Sequence, residues 1–154
     1  MAEGLTVNRT RNGERGAELV EFAFVLPVLL LVFAGIVDFG FLFQRYEVVT
    51  NAAREGARLA TLPNYTQADV IARVNDYLNT GIGAGADANA TTTMVNTTVA
   101  VSGGPGVSAR RVEVAYTSTY LVLGPISALV GGSNGFSTIT LHGVSTMRVE
   151  APGP

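Results

Sequence analysis

The sequence predicts an α+β protein: a long N-terminal transmembrane helix that continues into a small extracytoplasmic domain with an antiparallel sheet of three or four strands. Three observations carry this. The sixteen residues from Phe22 to Val37 pass without a charge. Apolar and small residues then recur at helical spacing from Gln44 to Leu62, and the C-terminal third alternates apolar with polar residues in runs divided by Gly-rich breaks.

Past Asp38 the apolar character resumes to Phe43, and at about 1.5 Å per residue the 22 positions from Phe22 reach roughly 33 Å, against a bilayer core of about 30 Å. Each Leu, Ile, Phe or Val contributes up to about −0.3 to −0.6 kcal/mol to insertion and a central Asp costs about 2.5 to 3.5, so the apolar side chains prevail. Pro27 removes one backbone hydrogen bond and crowds the carbonyl of Ala23, which kinks a membrane helix without preventing insertion. The run is too long for an ordinary secretory signal and no A-x-A site follows it, so a retained span is expected. Asp38 lies near the outer end of the run, within reach of the interface, of Arg45 one to two turns on, or of another subunit.

Residues 1 to 15 place Arg9, Arg11 and Arg15 among Asn, Thr, Gly and Glu without apolar periodicity, and are expected to be disordered in water. Three Arg precede the span and three, Arg45, Arg54 and Arg58, follow it closely, so the positive-inside rule gives a tie. The junction itself is more informative. Gly16 is followed by Ala17, and the fifth residue counted from Ala17 is Glu21, then Phe22 and the apolar run. This arrangement is similar to the class III signal of type IV prepilins, which a membrane peptidase cuts after the Gly on the cytoplasmic side. With GIVDFG and the later NAAREGARLATL, the stretch from Arg15 to Leu62 resembles the TadE-like family of minor pilins or pseudopilins of tight adherence systems. Phe22 stands where the tight-adherence signal commonly has Tyr; it keeps the ring and loses the hydroxyl.

The resemblance implies a cleavable leader at 1–16, an N-terminal helix at 17–62 and an extracytoplasmic α+β domain at 63–154. It implies a peptidase cut between Gly16 and Ala17, and subunit docking through Glu21 and Phe22, where the freed amine of a neighbour's Ala17 would meet the Glu21 carboxylate. The implied partners are the inner membrane, the prepilin peptidase and other pilus subunits, with the N-terminus cytoplasmic. A rival reading is an uncleaved, membrane-anchored binding module.

Beyond the span, Ala52, Gly56 and Ala60 recur every four residues, a smooth stripe for helix packing against the protein's own sheet or a neighbouring subunit. Pro63 ends the helix. Thr66 as N-cap, Asp69 in the first turn, apolar Val70, Ile71, Val74 and Leu78, and Gly81 as terminator predict a second helix, with Asp69 and Arg73 as an i,i+4 pair. Residues 81–93 are expected to form a flexible loop; with no Lys and no strand and helix flanks, their glycines do not form a phosphate cradle. Val95 to Val101 and Val112 to Tyr120 alternate on either side of SGGPGVS, predicting a hairpin with a long loop. A short helical turn over Pro125 to Val130 and the GGSNG break lead into a strand from Phe136 to Glu150, with Ile139, Leu141, Met147 and Val149 on one face.

The same residues argue against chemistry. With no cysteine there is neither a disulfide nor a thiolate metal site, and a net charge of −2 lacks the basic face that nucleic acid requires. His142 is the single histidine, expected on the exposed Thr face of the last strand with no metal-binding partner. No nucleophile elbow or paired acid motif is present, so no catalytic residue, cofactor or small-molecule substrate is assigned and an enzyme is not expected.

Overall fold

The computed structural model describes residues 11–129 and 138–149, with side chains at all of these except 11–15, 128 and 129. A single helix, α1 (Arg11–Ala60), runs for 50 residues and carries Pro27 within it. It is long and apolar enough to cross a membrane, and very little of its most apolar part is covered by the rest of the chain. It starts inside the expected leader: residues 11–15 are helical, against the expectation of disorder, because no proline stands between Arg11 and Gly16 and the helix nucleated by the apolar run downstream propagates through Asn12 and Gly13 despite their low propensity. The rest of that leader, residues 1–10, lies outside the described residues. At the other end, Thr61 and Leu62 leave the helix through bonds to the carbonyls of Arg58 and Leu59. Asn64 then turns the chain with a left-handed φ of 69°.

The second helix, α2 (Gln67–Gly81), opens on a complete capping box: the Thr66 hydroxyl accepts from the Asp69 amide, and the Thr66 amide donates to the Asp69 carboxylate at 2.8 Å. The Thr66 hydroxyl also donates to that carboxylate at 2.6 Å, and the two donations from Thr66, hydroxyl first and then amide, hold the Asp69 carboxyl below its usual range. Asp69 is therefore committed to the cap and does not pair with Arg73, which reaches Glu55 of α1 and Asp76 instead. Gly81 does end α2, but not as a left-handed cap. A Cβ there would lie 2.6 Å from Val48 of α1, so the glycine permits close helix contact, and Gln44 of α1 donates to its carbonyl.

The expected flexible loop after Gly81 is structured instead. A 3₁₀ turn at Ala86–Asn89 buries Ala86, and the Asp87 amide donates to the Asn79 side chain. Strand β1 (Ala90–Val101) begins at once and pairs antiparallel with β2 (Gly104–Thr119). The hairpin closes in two residues, with Gly103 at φ 81°, where a long loop was expected. A register shift between Val99 and Val101 lets the ladder pass Pro105, which has no N–H to give it. After β2 comes α3 (Leu123–Leu129), then β3 (Thr138–Arg148), which completes the sheet in the order β1-β2-β3. Phe136, Glu150, Val130 and the GGSNG break lie outside the described residues.

One face of the sheet packs on the outer half of α1, with α2 closing the side. The core joins Val49, Ala52, Ala53 and Ala57 of α1 to Val70, Val74 and Leu78 of α2 and to Val112, Val114 and Tyr116 of β2. Full burial of each Val or Leu contributes about 1.5 to 3 kcal/mol. Gly143 of β3 is as tight as Gly81, but against backbone: a Cβ there would sit 2.6 Å from the Val49 carbonyl oxygen.

Candidate functional site

The two ends of α1 have opposite character. From Leu19 to Phe33 almost every large side chain is exposed, Phe24 to 77%. Gly16, Ala17, Glu21 and Phe22 all lie on this bare helix, and nothing approaches the Gly16 Cβ position within 4 Å. Ala17 and Glu21 are four residues apart and share a face. Ala52, Gly56 and Ala60 are buried at the far end, roughly 45 to 60 Å along the axis from Glu21, so the structure does not bring the two groups together. A Cβ on Gly56 would meet Val74 at 2.7 Å and Val112 at 3.3 Å, which places that position against α2 and β2 of the same chain.

Between these ends lies a feature that the sequence does not announce. Asp38 is 2% exposed, and its carboxylate accepts from three successive backbone amides: Leu121 at 2.7 Å, Val122 at 2.9 Å and Leu123 at 2.7 Å. Arg45, seven residues later on the same face, donates to the buried Ser118 hydroxyl at 2.6 Å and to the Thr119 carbonyl at 3.0 Å. Seven helical residues rise about 10.5 Å, and the three or four extended residues between these contacts cover about 10 to 13 Å. The two charges therefore grip the end of β2 at two points. Asp38 and Arg45 do not pair directly, contrary to one expectation for Asp38; Arg45 holds the last residues of β2, still paired with β3, and Asp38 holds the backbone just beyond them. The only advance signal was a carboxylate in an apolar run.

Elsewhere the charged groups serve packing. Glu55 bonds Arg58 at 2.9 Å and Arg73 at 3.2 Å, and these guanidiniums, Arg58 foremost, hold its carboxyl down at about 2. His142 is exposed on the outer sheet face, 3.6 Å from Glu113 across the β2–β3 pair. Among the described residues no group of three or more His, Asp or Glu could hold a metal ion.

A site made of a bare apolar helix and a clamp at its midpoint is suited to membrane insertion and helix contact. Comparison with known families agrees with the part of the chain that carries it. Residues 16–58 match the family model of TadE-like proteins. The match begins at Gly16, includes Asp38 and Arg45, and stops short of α2 and the sheet. It is the family that the Arg15–Leu62 stretch resembles. No curated protein and no solved structure matches the chain.

Proposed function

We propose that the protein is a minor pilin or pseudopilin of a tight adherence system, a single-pass assembly component of the inner membrane. The prepilin peptidase cuts it after Gly16 on the cytoplasmic side, and the domain carrying α2 and the sheet stands outside the membrane. The observation that carries this reading is the TadE-like segment itself: Gly16-Ala17, Glu21 and Phe22 lie in the inner end of a helix whose large side chains, from Leu19 to Phe33, are left for lipid or for another helix. Pilus subunits are the partners. After the cut, the Ala17 ammonium of one subunit meets Glu21 of the next while their apolar helices align.

The experiment is the mass of the protein isolated from its native membrane. Loss of residues 1–16 supports the reading, and Gly16→Val should retain them, since a Cβ at the cut position blocks the peptidase. An intact wild-type chain would favour the uncleaved binding module instead.

A further inference from the structure

We propose that the segment from Leu121 through α3 is a second membrane-contact element, a foot that rests among the acyl chains of the outer leaflet beside α1. The inference rests on α1 spanning the membrane. With the apolar run starting at Phe22, a core of about 30 Å takes about 20 residues and ends near Phe41. Asp38 and the three amides that it binds then lie about one turn inside that boundary. Backbone that leaves regular structure at such a depth needs its polar groups satisfied within the protein. Asp38 does this for Leu121, Val122 and Leu123, and those amides in turn satisfy the carboxylate.

The surroundings are apolar as well. Ala34, one turn further in than Asp38, is 4% exposed, whereas Ala23, among equally bulky neighbours, is open, so the C-terminal domain reaches inward along the helix. Leu121 and Ile126 stay exposed at this level. A groove of about 410 Å³ runs between α1 and the sheet end, lined by Phe39, Phe43, Tyr46, Tyr120, Leu123 and Ile139. Its lining reaches inward to Gly35, two residues from the exposed Phe33, and its tyrosines carry the amphipathic rings enriched where hydrocarbon meets headgroups. An acyl chain fits this lining; a polar ligand finds few partners there.

The chain contains no Trp, so a single introduced Trp reports without background. Full-length Ile126→Trp, with Leu121→Trp as a second reporter, is reconstituted at low protein density in phosphatidylcholine vesicles brominated on the acyl chains. Phe24→Trp marks the span and Val95→Trp, on β1, the distal sheet. Quenching of the foot reporters comparable to Phe24→Trp, with Val95→Trp unquenched, is expected. Adding Asp38→Ala should reduce quenching at residue 126 and leave it unchanged at residue 24. Foot reporters as unquenched as Val95→Trp beside a quenched Phe24→Trp would overturn the foot and leave the span standing. An unquenched Phe24→Trp would overturn both.

Discussion

The inner and outer halves of α1 use apolar residues for opposite purposes. From Leu19 to Phe33 they are large and exposed; from Val49 to Ala60 they are mainly Ala and Gly, and buried. Bulk in the inner half creates surface that the described residues leave uncovered, open to lipid or another helix. Small size in the outer half lets α2 and the sheet approach the helix backbone, as Gly56 shows, and Gly143 of β3 matches it from the sheet side. Apolar content alone does not separate the two. Side-chain size does.

The sharpest break of this contrast is at Gly143. A Leu there drives its Cβ into the Val49 carbonyl, which belongs to a helix and cannot swing aside, so Gly143→Leu should cost about 3 kcal/mol or more. Gly56→Leu meets side chains that can shift in part and should cost about 1 to 3 kcal/mol. Leu30→Ala, in the bare half, should change the stability of the C-terminal domain by less than about 0.5 kcal/mol. Thermal unfolding in detergent ranks the three, and equal melting temperatures would dissolve the contrast.

Asp38→Ala, at the boundary between the halves, removes three charge-assisted acceptor contacts and should cost about 2 to 3 kcal/mol, with Asp38→Asn less severe. Proteolysis near residues 121–129 should rise in parallel; unchanged resistance would show that Arg45 alone holds the end of β2.

Much of this was legible in the sequence, for physical reasons that can be named. Long uncharged runs, helical spacing and strand alternation are local signals, and they mark α1, α2 and the three-stranded sheet. The Thr66 cap was readable because both partners lie within four residues. What was not readable depends on distance along the chain. The Asp38 contacts span more than eighty residues, and nothing near Leu121 says that its amide lacks a ladder partner. Gly81 carries a familiar terminator signal but serves a contact with Val48, and the Gly-rich 81–93 stretch becomes a 3₁₀ turn and strand because Ala86 finds a place in the core.

A smaller effect tests the outer half by pH. Glu55 holds its charge down to about 2 in the folded protein against an ordinary value of 4.5, so its stabilisation is present above 4.5 and is lost as pH falls toward 2. Its Arg partners are well exposed to water, which limits the contribution to about 1 kcal/mol. Glu55→Gln should flatten the decline in domain stability between those pH values; an unchanged slope would assign the decline to other carboxylates.

The central claim, that the bare inner half enters a bundle of like helices, is tested most directly at Glu21. A carboxylate at the edge of an apolar bundle costs several kcal/mol without a partner, even with help from a helix N-terminus. If a neighbour's Ala17 ammonium is that partner, Glu21→Ala should still insert and fold, and should be lost from complexes with the pilus components far more than Glu18→Ala. Equal recovery of the two variants by co-purification would contradict the account.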